Sequence, residues 1–275
     1  MPVRLVATDL DGTLLRSDGT VSDRTRAALR DAVDAGLVVV FVTGRPPRWL
    51  DALVAETGHV GVAVGANGAA LYDMADQRLM TTHPLQPGLM REIAGELRGK
   101  FPAVHFAVEY GDAFAAEPGY VHEWAINPRY DRNGRPIPPP TIADLEGITG
   151  AAALKLLAKD REVGPDEFLS SATTVVGERA TLTHSSLYGL LEISAAGVTK
   201  ATGLAEVATR YGLEHTDVLA IGDMPNDVPM LEWAGRSLAV GNAHPSVIDA
   251  ADDVIGTNDD DAVAQVIETL LRTPN

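Results

Sequence analysis

A chain of 275 residues, 45% of them hydrophobic, carries enough apolar material for a large core and about two domains. Cysteine is absent, which excludes disulfides, thiolate zinc sites and a cysteine nucleophile, so any metal must be bound by oxygen or histidine. The formal charge of −16 disfavours binding to nucleic acid or anionic membranes, which depends on Lys and Arg, and requires local positive charge wherever a phosphorylated ligand is held.

The N-terminal Met1-Pro2-Val3-Arg4-Leu5 runs directly into a strand expected over Val3–Thr8 rather than into a signal peptide. No apolar run reaches the roughly 18 residues of a membrane span, so a soluble, cytoplasmic protein is expected. Asp9-Leu10-Asp11-Gly12-Thr13 follows that strand. In extended chain, residues i and i+2 point the same way, so Asp9 and Asp11 can converge on one metal ion or one phosphate while Gly12 permits a sharp turn. Ser22 is placed to cap a helix over Asp23–Ala35 that Gly36 stops. A second strand, Leu37–Val42, runs into Thr43-Gly44-Arg45; Pro46 and Pro47 open a helix reaching Thr57, and Val60–Val64 reads as another strand. Such nearly continuous apolar strands suit a parallel sheet buried on both faces.

The βα rhythm then stops. Asn67-Gly68 is the strongest ordinary hairpin signal, and a turn around Met74–Gln77 separates two further strand-like runs. Residues 83–190 read as an inserted α+β unit, with helices over Pro87–Gly99 and Pro165–Ser171 and strands near Val104–Val108, Ala152–Leu157 and Ala180–His184. Its segment from Glu117 to Thr141, rich in proline, tyrosine and charge, reads as a surface loop. The rhythm returns with a helix over Lys200–Tyr211, which Gly197-Val198-Thr199 precedes. A strand over Asp217–Ile221 ends in Gly222-Asp223-Met224-Pro225-Asn226-Asp227; a helix Pro225–Ala234, a strand Ser237–Val240 and a last helix near Ala262–Arg272 follow. The expected core is therefore discontinuous, 1–82 and 191–275.

Four segments each end an apolar run, and in open α/β sheets ligands bind beyond the carboxyl ends of strands, so the four should converge. Singly, Asp-Gly is a common turn and Lys200 an ordinary solvated lysine. Together and in this order they resemble the haloacid dehalogenase superfamily of phosphohydrolases, whose pattern is DxDGT, a small hydroxyl residue, a lysine, then GDxxND. The position, size and α+β character of the insertion resemble the class IIB cap of its Cof-type subfamily. That resemblance implies a Rossmann-like, doubly wound parallel-sheet core with an inserted α+β cap.

It further implies that Asp9 is the nucleophile and Asp11 the acid, then the base. Leu10, Thr43, Gly44, Lys200 and Asn226 would hold the phosphate. Mg2+ would be bound by Asp9, by Asp11 through its backbone carbonyl and by Asp223, with Asp227 as support or a weaker ligand. Arg45 reads as a structural salt-bridge residue. Asn67-Gly68 and Gly241-Asn242-Ala243 also match family segments, but loop geometry is the reading taken here for both. His83, His105, His122, His184, His215 and His244 lack metal-ligand spacing. Glu123, Trp124 and Arg129 are candidates for reading the leaving group. The expected activity is a Mg2+-dependent phosphatase of small phosphorylated metabolites, sugar phosphates foremost. The alternatives are a phosphosugar mutase, as in similar phosphomannomutases, and a non-enzymatic phosphate sensor, against which intact Asp11 argues. The substrate and oligomeric state are left open by the sequence.

Overall fold

In a computed structural model, which describes residues 3–120 and 140–272, the apolar runs form two sheets. The first has eight strands. Six are parallel: β1 (Leu5–Thr8), β2 (Val38–Val42), β3 (Val62–Gly65), β12 (Val218–Gly222), β13 (Arg236–Ala239) and β14 (Asp253–Val254). Two antiparallel strands, β4 (Ala70–Asp73) and β5 (Arg78–Thr82), close one edge, giving the order β14-β13-β12-β1-β2-β3-β4-β5. The sheet grows away from β1 in both directions, which makes the carboxyl ends of β1, β2 and β12 the switch point where a ligand crevice forms.

The period-2 alternation of each strand divides the core in two. Val6, Val39, Phe41, Leu219 and Ile221 pack against helices α1 (Asp23–Asp34), α2 (Leu50–Thr57) and α9 (Ala262–Arg272). Leu5, Ala7, Val40, Val42 and Ala220 face α6 (Lys200–Arg210), α7 (Val228–Trp233) and α8 (Pro245–Ala250) on the other side. Each fully buried Leu, Ile or Val side chain contributes about 1.5–3 kcal/mol. Helix α1 starts where its cap allows: the Ser22 hydroxyl accepts from the Thr25 amide at 3.0 Å, worth about 1 kcal/mol. It ends at Gly36, whose φ of +85° a side chain would resist.

The second sheet has the order β10-β11-β9-β6-β7-β8. Its strands are β6 (His105–Glu109), β7 (Phe114–Ala116), β8 (Thr141–Ile142), β9 (Lys155–Lys159), β10 (Ala180–Thr183) and β11 (Leu190–Ala195). Alternation again assigns the faces. Phe106, Val108, Leu156, Ala158, Leu191 and Ile193 pack under α3 (Pro87–Lys100) and α5 (Pro165–Val176), with a short α4 (Leu145–Ile148) at the edge. The residues between them, Glu109, Lys155, Leu157, Leu190 and Glu192, line a cavity shared with the first sheet. Strand β11 corrects the expected division at residue 190: it pairs with β9 and β10, so the chain leaves this sheet only after Ala195. Among the described residues no helix is long and apolar enough to cross a membrane.

Candidate active site

Three loops at the carboxyl ends of β1, β2 and β12, together with the start of α6, bring the expected residues together. Asp9 follows β1 and is buried; Lys200, fully buried at the first turn of α6, donates to Asp9 Oδ1 at 2.6 Å and to Asp227 Oδ1 at 2.5 Å. Helix α6 is held in that position by a reciprocal cap between Thr199 and Thr202 and by Gly68, where an added Cβ would lie 2.0 Å from the Thr199 carbonyl oxygen. The other oxygen of Asp227 accepts from the amides of Asp223 and Met224, both at 3.0 Å. Asp227 is thus bound on both oxygens by the protein and shapes the loop that presents Asp223.

Asp223 accepts from the buried Thr13 hydroxyl at 2.9 Å through Oδ1. Its Oδ2 lies against Gly12, where a Cβ would come within 2.3 Å, and Gly12 has φ +83°. Glycine is therefore required there twice, for its backbone angle and for the approach of the carboxylate. Asn242 reinforces that turn by donating to the Gly12 carbonyl at 2.8 Å, in keeping with a loop-shaping role for Gly241-Asn242-Ala243.

Asp9, Asp223 and Asp227 present oxygens within 4.8 Å of one another, all buried. Burial pushes the Asp9 carboxyl well above the ordinary range; Lys200 pulls it back, while Asp227 and Asp223 push it up again. Burial, then Asp227, raises Asp223 to about 7. Burial alone would lower Lys200, but Asp227 and Asp9 outweigh it and hold the ammonium charged beyond its usual range. One ammonium does not neutralise three carboxylates. An all-oxygen donor set with excess negative charge fits a hard divalent cation such as Mg2+, and no histidine belongs to a metal-competent group among the described residues.

Asp11 differs from Asp9. Its side chain is 61% exposed at the cavity and is gripped by Arg45, Nε to Oδ2 at 2.7 Å and Nη2 to Oδ1 at 2.5 Å. The salt bridge expected of Arg45 is thus made with the second aspartate of the DxD pair. Thr43 is buried and its Oγ1 accepts from the Arg45 amide at 3.0 Å; Thr43 and Gly44 line the same cavity as Asp9, Asp11 and Asn226. Leu10 points its side chain into the core behind β1, which leaves only its main chain to face a ligand.

Sequence reading missed Lys155 and Glu192 of the second sheet and gave Asn67 a purely structural role. Asn67-Gly68 does join β3 to β4, but Asn67 is buried with φ +57° and sends its side chain into the site, where it accepts from Asn226 at 3.1 Å and donates to Glu192 at 2.9 Å. A left-handed Asn in a hairpin loop was the available signal. Glu123, Trp124, Arg129 and His122 lie outside the described residues.

A family model of haloacid dehalogenase-like hydrolases matches residues 6–267. The chain belongs to that family. In common with its phosphatase relatives it is a phosphoric monoester hydrolase, built as a parallel-sheet core with an inserted α+β unit. A 5-amino-6-(5-phospho-D-ribitylamino)uracil phosphatase of Bacillus subtilis, YcsE, is 29% identical over 272 residues, covering 96% of this chain and 94% of its own. An HMP-PP phosphatase of Serratia proteamaculans is 29% identical, covering 98% and 96%, and the Escherichia coli pyridoxal phosphate phosphatase YbhA is 28% identical, covering 97% and 98%. A solved haloacid dehalogenase-like hydrolase from B. subtilis superimposes with a TM-score of 0.81 at 26% identity, covering 97% of this chain and 99% of that one. SMU.1108c from Streptococcus mutans does so with a TM-score of 0.85 at 22% identity, covering 98% and 100%, a likeness of fold.

Proposed function

We propose that this chain is a Mg2+-dependent phosphatase that hydrolyses small phosphorylated metabolites through an aspartyl-phosphate on Asp9. The observation that carries the reading is the buried Asp9 carboxylate, held by Lys200 on one oxygen and opening on a cavity that also contains Asp11. In the first half-reaction an Asp9 oxygen attacks phosphorus, the bond from phosphorus to the leaving oxygen breaks, and Asp11 gives that oxygen its proton. In the second, Asp11 takes a proton from the attacking water, the bond from phosphorus to Asp9 breaks, and phosphate leaves. Arg45 orients the Asp11 carboxyl, and proton transfer requires one of its two oxygens to be freed while the other stays held, which its exposed position permits.

The equatorial phosphoryl oxygens need fixed donors, and the Leu10 and Gly44 amides, Thr43, Lys200 and Asn226 would serve as those donors. An Asn amide carries two N–H donors, and Asn67 takes only one from Asn226. Asp9 and Asp223 would hold Mg2+ with the Asp11 backbone carbonyl, Asp227 fixing Asp223 from behind. When bound, Mg2+ supplies the charge that lets three carboxylates and an anionic phosphoryl group share one site.

The cavity holds about 220 Å³ and is walled by Trp49, Tyr120, Leu157, Tyr188 and Leu190 with Glu109 and Ser186 among them. That size suits a leaving group of one ring with a short arm. Sugar phosphates meet this description, and so does pyridoxal phosphate, for which one relative is named. The test is phosphate release with Mg2+ and with chelator, from sugar phosphates, pyridoxal phosphate and nucleotides, by wild type and Asp9→Asn. Metal-dependent release lost in the variant supports the reading. Retention of full activity in Asp9→Asn would remove Asp9 as nucleophile, and isomerised substrate without released phosphate would point to the mutase.

A further inference from the structure

The second sheet places a buried ion pair directly on the phosphate loops. Lys155 on β9 and Glu192 on β11 are 3% and 4% exposed and alternate with residues buried under α3 and α5, so their side chains project from the opposite face towards the first sheet. Lys155 Nζ donates to Glu192 Oε2 at 2.5 Å and to the Gly44 carbonyl at 2.7 Å. Glu192 also accepts from Ser185 at 2.5 Å and from Asn67 at 2.9 Å, and Asn67 accepts from Asn226 at 3.1 Å. The approach is close: a Cβ on Gly44 would lie 3.1 Å from Asn67 Oδ1 and 3.4 Å from Glu192 Oε2. Among the described residues, Asn226 Oδ1 is buried without a hydrogen-bond partner, so Asn67 is what orients that amide.

We propose that Lys155 and Glu192 are positioning residues that report the seating of the inserted unit to the phosphate site, aligning the Asn226 amide through Asn67 and the Thr43-Gly44 loop through the Gly44 carbonyl. The inference rests on the phosphatase reading above. Every link is a direct hydrogen bond, and the charges lie where solvent does not screen them. When the inserted unit lifts, the chain of bonds breaks at Lys155 to Gly44 and at Glu192 to Asn67, and two of the phosphate-facing elements lose their anchors. Donor alignment is thereby completed only when the inserted unit is seated over the site.

Breaking a buried pair by removing one partner destabilises a fold, whereas replacing both by uncharged groups of similar volume is often neutral. The double variant Lys155→Met/Glu192→Leu therefore separates structure from positioning. Its thermal midpoint is expected within a few degrees of wild type, kcat to fall about tenfold or more, and the affinity for vanadate with Mg2+, a mimic of the phosphoryl group in transfer, to fall in parallel. Wild-type kcat and vanadate affinity in this folded variant overturn the proposal. Should the double variant not fold, Asn67→Gly decides. Glycine accepts φ +57° without strain and leaves the ion pair in place, so the same loss supports the relay and unchanged kcat overturns it. A wild type without turnover on any phosphate monoester overturns the phosphatase reading and this inference with it.

Discussion

Lys200 Nζ lies 2.6 Å from Asp9 Oδ1 and 2.5 Å from Asp227 Oδ1, so one buried cation bridges the residue that would attack phosphorus and the residue that fixes the loop after β12. Removing it leaves two carboxylates buried without their counter-charge. Lys200→Met is expected to cost about 3–5 kcal/mol of stability and at least about 100-fold in kcat. Lys200→Arg should not rescue it, because a planar guanidinium cannot occupy the place of a compact ammonium. Thermal unfolding and steady-state kinetics of the two variants check this.

Asp223 makes metal-free stability depend on pH. Its folded pKa is raised from 3.8 to about 7, so between those values the folded chain binds the proton more tightly than the unfolded chain does. The stabilising contribution is therefore full below about pH 4 and is lost as the pH rises to about 7. Mg2+ competes with that proton. At one fixed Mg2+ concentration the stabilisation, read as a rise in thermal midpoint, should be larger at pH 8 than at pH 5.5; it amounts to about 2.7 kcal/mol where the metal stands at 100 times its apparent Kd. Equal Mg2+ shifts at both pH values would contradict it.

Gly12→Ala sets a Cβ 2.3 Å from Asp223 Oδ2 in a backbone region hostile to side chains. The conformational part alone costs on the order of 1–3 kcal/mol. Displacement of Asp223 should appear as a weaker Mg2+ requirement curve, the half-saturating concentration rising more than the substrate KM. A Mg2+ titration of activity separates the two.

Arg45→Ala should behave differently. The pair with Asp11 is partly exposed, so the stability change is expected to stay within about 1 kcal/mol. Asp11 loses the two-point grip that sets its orientation, and kcat should fall about tenfold for alkyl phosphates, whose leaving oxygen needs a proton, and less for an aryl phosphate with an acidic leaving group. Equal losses for both leaving groups would argue against a link between Arg45 and the acid step.

The elements that position the site were largely legible in the sequence because local rules decide them. Ser22 and Gly36 bound α1 as capping chemistry requires, and the parallel strands showed as apolar runs ending in Asp9, Thr43 and Asp223. What escaped depends on contacts between distant segments. Lys155 opens the run KLLAK and Glu192 sits inside LLEIS, where a charge alternating with apolar residues reads as a solvated strand face; only the meeting of two sheets makes that face an interior. The same strand β11 escaped assignment to the insertion, because an apolar run carries no mark of which sheet it joins. Helix α8 was overlooked too, its six residues being too few to show a helical period.

That β11 belongs to the second sheet brings the return crossing close to the chemistry. From Ala195 the chain passes through the turn at Gly197, φ +75°, and within the next few residues becomes the helix whose first side chain is Lys200. The inserted unit and the lysine beside Asp9 are thus joined along the backbone as well as through the Lys155 to Gly44 contact. Domain exchange among such proteins is constrained in consequence: a graft that ends at residue 190 splits β11 from its partners, whereas one that carries 83–199 brings its own setting for the lysine with it.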